Sequence, residues 1–171
     1  MSKTNQKKTT KGTKSTTETK KDKDNVLVIS RFIRAPAERV YKAFIDPDAM
    51  AKWLPPHGFT GKVTEMDAQV GGKYHMTFTN FTTGTSHSFG GKYLELTPYT
   101  RIRYTDVFDD PNMPGVMETI IELTSTFAGT EVTITQTGIP SQMPVEFAKM
   151  GWQESIQLLE QLVTPEIPDQ A

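Results

Sequence analysis

The three histidines are the first side chains to consider for chemistry, because imidazole serves both as a metal ligand and as an acid–base group. They are His57, His75 and His87, and no two of them have the i, i+4 spacing that places a pair of ligands on one helical face. The chain also contains no cysteine, which removes thiolate ligands and thiol nucleophiles. We therefore expect neither a metal site nor a cofactor.

Two of these histidines fall on predicted strands, where alternation decides which way a side chain points. If Tyr74 and Met76 face the interior, His75 faces solvent. His87 has the same parity as Phe89, so its side chain could lie either in a pocket or on the surface, and the sequence does not decide between them.

Carboxylates are the second group, since a buried one can act as a general acid or base. Glu95, Glu118 and Glu122 fall on predicted strands, and the apolar residues that alternate with Glu118 and Glu122 put these two on the solvent side. Glu154 is the acid to examine first, because it lies three residues after Gly151 in the predicted long helix. A surface glutamate is the alternative there. We predict no catalytic residue, and no nucleophile motif such as GxSxG is present.

Aromatic and methionine side chains form the most informative set, because they come from several strands and from both helical regions. Core packing explains any one of them, but together they predict the wall of a ligand cavity in which Tyr74 and Tyr104 supply polar groups. The predicted ligand-binding residues are Trp53, Phe59, Tyr74, Met76, Phe78, Phe89, Tyr104, Met117, Phe147 and Met150, with Glu154 added.

Hydrophobic periodicity predicts the elements that position these residues. A strand over 26–34 is followed by two short helices, the second of which begins with the cap Asp46 and with Pro47 at its first position. The pattern then changes to strands joined by short connections, which favours antiparallel pairing. These six strands are predicted at 60–67, 73–81, 86–96, 100–108, 116–126 and 131–137.

A long amphipathic helix over about 143–163 closes the chain before Pro165, and its apolar stripe must be buried on one face of the curved sheet. Gly151 weakens this helix, so we expect that it allows a close approach to the sheet or to a ligand. The segment 109–115, DDPNMPG, is interpreted either as a lid over the cavity or as a turn-rich connection.

The first 25 residues differ in composition from the rest. They carry eight lysines against Glu18, Asp22 and Asp24, a net charge of +5, so the total of −1 leaves −6 for the remainder. Without apolar residues between Met1 and Val26, this segment should be a disordered tail; a solubilising extension is favoured over a basic arm. The predicted organisation is a tail over 1–25, a domain over 26–165 and a short tail over 166–171.

The net negative charge of residues 26–171 argues against a nucleic-acid-binding domain, which needs a positively charged face. No apolar run approaches the roughly 20 residues that span a bilayer, so we expect no membrane partner. The absence of cysteine fits a reducing compartment. We expect a cytoplasmic protein, and the sequence leaves open whether it forms a homodimer.

Five motifs in order carry a family resemblance. They are APAERVY at 35–41 with DP at 46–47 and KWL at 52–54, EMD at 65–67, VGGKY at 70–74, GKYLELTP at 91–98, and GW at 151–152 with Leu158, Leu159 and Leu162. Over about 26–163 the chain thereby resembles the START-like (SRPBCC) superfamily, in its branch of homologues of the activator of Hsp90 ATPase.

The resemblance implies an α+β helix-grip fold, also called START-like or Bet v 1-like, in which a curved seven-stranded antiparallel sheet wraps a long C-terminal helix. Two short helices are expected between the first two strands. It implies a deep apolar cavity but no single activity. The leading hypothesis is binding of a small hydrophobic or aromatic molecule without catalysis. The alternatives are a co-chaperone-like module that stimulates a chaperone ATPase, and an enzyme of the polyketide cyclase or hydrolase kind in which an acid and a tyrosine polarise a ketone.

Overall fold

The computed structural model describes residues 25–169, and the predicted tail therefore lies outside the described residues except for Asn25. The elements follow one another as β1 (Leu27–Ile33), α1 (Ala37–Ile45), α2 (Pro47–Trp53), β2 (Phe59–Met66), β3 (Lys73–Asn80), β4 (Ser86–Thr97), β5 (Arg101–Phe108), β6 (Met117–Thr126), β7 (Gly129–Thr137) and α3 (Val145–Val163). None of these helices has the length and hydropathy needed to cross a bilayer.

The seven strands form one antiparallel sheet in the order β1-β7-β6-β5-β4-β3-β2. Strands β2 to β7 are a meander, and β1 joins its far edge by pairing with β7. Register shifts in the β2–β3 and β4–β5 pairs mark irregularities of the bulge type, which bend a sheet. The helix-grip α+β fold predicted from the sequence is confirmed, with element ends one or two residues from the expected positions.

Local sequence explains the two short helices that follow β1. Asp46 precedes α2, and its Oδ1 accepts a hydrogen bond from the backbone N–H of Ala49 at 2.9 Å. Pro47 takes the first helical position, where its missing N–H is not needed. The predicted cap is therefore confirmed.

The main core lies between the concave face of the sheet and α3. From α3 it receives Trp152, Ile156, Leu159 and Val163. Polar contacts help to hold this helix in place: the Ser155 hydroxyl donates to the carbonyl of Leu54 at 2.6 Å, and Arg39 Nε donates to the carbonyl of Val163 at 2.6 Å. These contacts fix the helix at its middle and at its end, and its first half lies over a cavity.

Two glycines matter for the cavity in opposite ways. At Gly91 of β4, an added Cβ would lie 1.7 Å from the carbonyl oxygen of Thr105, so no side chain fits there. At Gly151 of α3, an added Cβ would meet no atom within 4 Å. The expectation that Gly151 allows α3 to approach the sheet closely is therefore wrong; this glycine leaves space open beneath the helix.

Candidate functional site

A cavity of about 670 Å³ lies between the first half of α3 and the strands β3 to β7. Its wall is mostly aromatic and aliphatic, with a few polar groups. The lining residues are Leu54, Pro56, His57, Phe59, Phe78, His87, Phe89, Tyr104, Asp106, Phe108, Met113, Met117, Gln136, Gln142, Met143, Pro144, Phe147, Ala148, Met150, Gly151, Trp152, Glu154 and Ser155. Such a volume and lining are typical of sites for small molecules.

Eight of the eleven predicted ligand-binding residues line this cavity: Phe59, Phe78, Phe89, Tyr104, Met117, Phe147, Met150 and Glu154. Phe147 and Met150 remain more than half exposed, at 68% and 52%, so they form the rim of the cavity. The loop over 109–115 contributes Met113 to the wall, which places this segment beside the opening. The structure thus brings together residues from six separate elements, β2 to β6 and α3.

The other three predicted residues, Trp53, Tyr74 and Met76, lie outside the lining and are buried in the core. Trp53 packs edge-on against Phe44 and donates its indole N–H to the carbonyl of Ala43 at 2.8 Å, which turns it away from the cavity. Met76 is fully covered. Tyr74 contacts two lining residues from the core: its ring packs edge to face against Tyr104, and its hydroxyl group bonds to Asp106.

A buried acid, Asp106 of β5, is a lining residue that the sequence prediction missed, and it is only 5% exposed. It stands in the run TDVFDD next to a turn, where acids are usually solvated. Strand alternation was the available signal, because Asp106 has the same parity as the buried Ile102 and Tyr104. An acid that continues an inward-facing stripe is expected to be buried.

Hydrogen bonds from strands on either side of β5 converge on the Asp106 carboxylate. The Thr119 hydroxyl donates to Asp106 Oδ2 at 2.8 Å, and the Tyr74 hydroxyl donates to Oδ1. Gln136 Nε2 in turn donates to Thr119 Oγ1 at 3.0 Å, and the indole Nε1 of Trp152 donates to Gln136 Oε1 at 3.2 Å. The network therefore runs from α3 across β7 and β6 to the acid on β5.

Strand register explains how these groups meet. Thr119 is paired with Gln136 across β6 and β7 and with Tyr104 across β5 and β6, which places Asp106 diagonally opposite Thr119. Tyr74 reaches Asp106 from β3 across the intervening strand β4. Gly91, its partner on β4, presents no side chain on the concave face, so the tyrosine has an open path.

Burial dominates the electrostatics of this acid. Loss of hydration raises the pKa of Asp106 from 3.8 to about 7, although the neighbouring polar side chains of Thr119 and Gln136 favour the ionised form and lower the pKa. Burial also raises the pKa of Tyr104, with a smaller contribution from Tyr93. The cavity therefore holds a carboxyl group that can take up or release a proton near neutral pH.

His75 lies outside the cavity, as strand parity predicted, and His87, whose position parity left open, lines it. His75 points away from the cavity, where its Nε2 lies 2.8 Å from Asp109 and its Nδ1 lies 2.6 Å from the Thr64 hydroxyl. His87 lines the cavity at its mouth, with its ring against Phe59 and Phe78. Partial burial between these rings lowers the pKa of His87.

The glutamates are placed as alternation predicted. Glu118 pairs with Arg103 at 2.7 Å and Glu122 lies 3.6 Å from Arg101, both on the outer face of the sheet. Glu154 faces the cavity mouth, where its Oε2 accepts the backbone N–H of His57 at 3.2 Å. This contact connects α3 to the loop between α2 and β2. Within residues 25–169, no cluster of three metal-ligating side chains occurs.

The fold and the cavity together define a helix-grip protein with an apolar internal site and one buried acid. Residues 34–164 match the family model described as "Activator of Hsp90 ATPase homolog 1-like protein". The chain belongs to this family, which confirms the resemblance seen in the motifs. A search of curated proteins finds no match.

Solved structures of similar proteins support the same assignment. A crystal structure of a protein from Chromobacterium violaceum is 52% identical with a TM-score of 0.82, and the alignment covers 83% of this chain and 99% of that one. One from Nitrosomonas europaea is 24% identical with a TM-score of 0.68, covering 82% and 95%. A solution structure from Staphylococcus epidermidis is 19% identical with a TM-score of 0.72, covering 92% and 98%. The last two show the fold alone.

Proposed function

We propose that this protein binds a small hydrophobic or aromatic molecule in the cavity between α3 and the sheet. The observation that carries the proposal is the cavity itself: about 670 Å³ of space whose wall is supplied by rings and methionines from separate elements. A tightly packed two-layer core would leave no such space, because interiors are close-packed. Methionines such as Met117 and Met143 suit an adaptable apolar surface.

The face of α3 above the cavity supports this proposal. Phe147, Ala148, Gly151, Glu154 and Ser155 recur at three- and four-residue steps, so one helical stripe roofs the space. The smallest residue stands at the middle of this stripe, where a side chain would enter the cavity. A core helix without a ligand would place a large apolar residue there.

Titration with 1-pyrenebutanol, a neutral fluorescent apolar molecule, tests the proposal. We expect saturable binding with one molecule per chain. Gly151→Leu, which fills the middle of the cavity, should weaken binding at least about tenfold, whereas Gly151→Ala, which adds one methyl group, should change it by less than about threefold. Absence of saturable binding, or equal affinity in Gly151→Leu, contradicts the proposal.

Proton-transfer catalysis is a second candidate, and the buried Asp106 beside Tyr104 favours it. A cavity acid whose pKa is close to neutral can exchange a proton with a bound ketone, as general acid–base catalysis requires. Aryl ketones incubated with the protein in D₂O should then exchange their α-hydrogens faster than in buffer, as followed by NMR. An exchange rate that is the same with Asp106→Asn removes this candidate.

The co-chaperone alternative makes a different prediction, namely stimulation of a chaperone ATPase without any need for an open cavity. Gly151→Leu separates it from ligand binding. Suppose that Gly151→Leu stimulates a chaperone ATPase as well as the natural chain does, and that pyrenebutanol does not bind to the natural chain. The co-chaperone role then replaces the proposed function.

A further inference from the structure

The charges that face the cavity are unbalanced. Two carboxylates, Asp106 and Glu154, are among its lining residues, and no lysine or arginine of the described chain is. The side chains in the described wall that could carry a positive charge are His57 and His87. Burial lowers the pKa of His87, which favours its neutral form. Within residues 25–169, an ionised Asp106 is therefore a buried charge without a neighbouring cation, an arrangement that is costly unless something else supplies the positive charge.

The hydrogen bonds around Asp106 leave acceptor capacity on the cavity side. An ionised carboxylate offers about four lone-pair positions. The hydrogen bonds from the described chain come from the hydroxyl groups of Tyr74 and Thr119, one to each oxygen. Because Asp106 also lines the cavity, its remaining acceptor positions are available to a ligand. The described part of the chain thus supports the carboxylate with neutral donors and leaves the cation to the occupant.

Aromatic rings surround the same space. Phe78 and Phe89 contact each other edge to face at 4.9 Å between ring centres, and Phe89 contacts Phe108 at 6.2 Å. All three line the cavity, as do Phe59 and Tyr104. Ring faces attract ammonium groups as well as apolar groups, and they do so more strongly where water is excluded. An anionic head group would meet ring faces and two carboxylates, which repel it.

We propose that the cavity selects an apolar molecule that carries one basic nitrogen, bound as an ammonium group against the Asp106 carboxylate, and that it rejects apolar carboxylic acids. This inference rests on the proposed function, since it names the class of ligand that the same cavity takes. It distinguishes the site from a fatty-acid site, where a lysine or arginine would have to meet the carboxylate.

Three ligands with one body and different head groups test the selection: 1-pyrenebutylamine, 1-pyrenebutanol and 1-pyrenebutanoate, titrated at pH 8 by fluorescence. We expect the amine to bind roughly ten- to a hundredfold more tightly than the alcohol, and the acid to bind more weakly than the alcohol. If all three fail to bind, the proposed function fails. If the alcohol binds and the acid binds as tightly as the amine, only the charge selection is overturned.

Asp106→Asn keeps the shape of the side chain and removes its charge. We expect it to lose about tenfold or more in affinity for the amine while it binds the alcohol within about threefold of the natural chain. Asp109→Asn is the matched control, because Asp109 lies three positions along the chain, outside the lining, and contacts His75 on the other face. Equal loss in both variants, or no loss in Asp106→Asn, overturns the inference.

A pH titration of the natural chain keeps the test independent of how well the variant folds. The titratable groups in the cavity or its network are Tyr74, Tyr104, His57, His87 and Glu154. Amine affinity should fall up to about tenfold for each pH unit below 7, because protonation of Asp106 removes the counter-charge. The same titration of Asp106→Asn separates the contribution of this carboxyl group from those of the other groups. Amine affinity that stays constant from pH 8 to pH 5.5 in the natural chain contradicts the inference.

Discussion

Trp152 of α3 donates a hydrogen bond from its indole Nε1 to the Oε1 of Gln136 on β7 across 3.2 Å. An indole nitrogen is a donor only, so this contact fixes the orientation of the Gln136 amide and turns its NH₂ group towards Thr119. The Thr119 hydroxyl, which accepts from Gln136, must then direct its own hydrogen to Asp106. The position of α3 and the environment of the acid are therefore linked through three strands.

Trp152→Phe should lower the free energy of unfolding by about 1–3 kcal/mol more than the loss of ring area explains. The reason is that Gln136 Oε1 is left buried without its donor, and an unsatisfied buried acceptor costs about that much. Urea denaturation followed by circular dichroism measures this change, since circular dichroism does not depend on the removed tryptophan.

A double-mutant cycle with Gln136→Met separates the hydrogen bond from the packing. Removing both polar partners leaves no unsatisfied group between them, so the double variant should be less destabilised than the sum of the single variants, by about 1 kcal/mol. Strict additivity would show that the two side chains are merely neighbours and that the amide orientation does not depend on Trp152.

Asp106 should make stability fall as pH rises from about 4 to about 7. Its folded pKa, about 7, is above its unfolded value, 3.8, so over this interval the unfolded chain releases a proton that the folded chain retains. The free energy of unfolding should fall by roughly 4 kcal/mol over this interval, and this contribution should not change further above pH 7. Asp106→Asn lacks this dependence, so its stability relative to the natural chain should increase between pH 4.5 and pH 8.

Free energies of unfolding for both proteins at several pH values check this prediction. Other titratable groups contribute alike to both proteins and cancel in the difference. A difference that is independent of pH, or one that grows towards acid pH, would mean that Asp106 is solvated or paired with a cation in the folded state. Asp109→Asn is the control, because this carboxylate is 57% exposed.

The sequence was sufficient for the fold because periodicity and caps act locally. Alternation, the cap at Asp46 and the turns located the elements to within one or two residues. Most of the cavity wall could be predicted for the same reason: inward strand positions such as Phe78, Phe89 and Tyr104 follow from parity. The inward position of Asp106 follows from the same rule, whereas the acids that follow it at the turn, Asp109 and Asp110, are exposed.

The network around Asp106 could not be predicted in the same way. Its members come from β3, β5, β6, β7 and α3, so their meeting depends on strand register and on the position of the helix. Burial of Trp53 and Met76 away from the cavity likewise depends on tertiary packing. Both residues are large and apolar, and composition alone does not distinguish a core position from a cavity wall.

The two glycines that shape the cavity should respond to alanine in opposite directions. Gly91→Ala forces a Cβ towards the Thr105 carbonyl oxygen, 1.7 Å away, so the β4–β5 pair has to separate. We expect a loss of at least about 3 kcal/mol in the free energy of unfolding, the range of severe backbone clashes. Gly151→Ala meets no atom within 4 Å and improves helix propensity, so it should gain about 0.5–1 kcal/mol.

Thermal and urea denaturation of the two variants beside the natural chain check both signs at once. The comparison is matched, because each variant adds a single methyl group to a glycine that lies at the cavity or beside its acid. Destabilisation by Gly151→Ala would mean that α3 moves onto the sheet and that the space beneath it is closed in solution. A neutral Gly91→Ala would mean that β4 can shift away from Thr105, and the path by which Tyr74 reaches Asp106 would then not depend on the glycine.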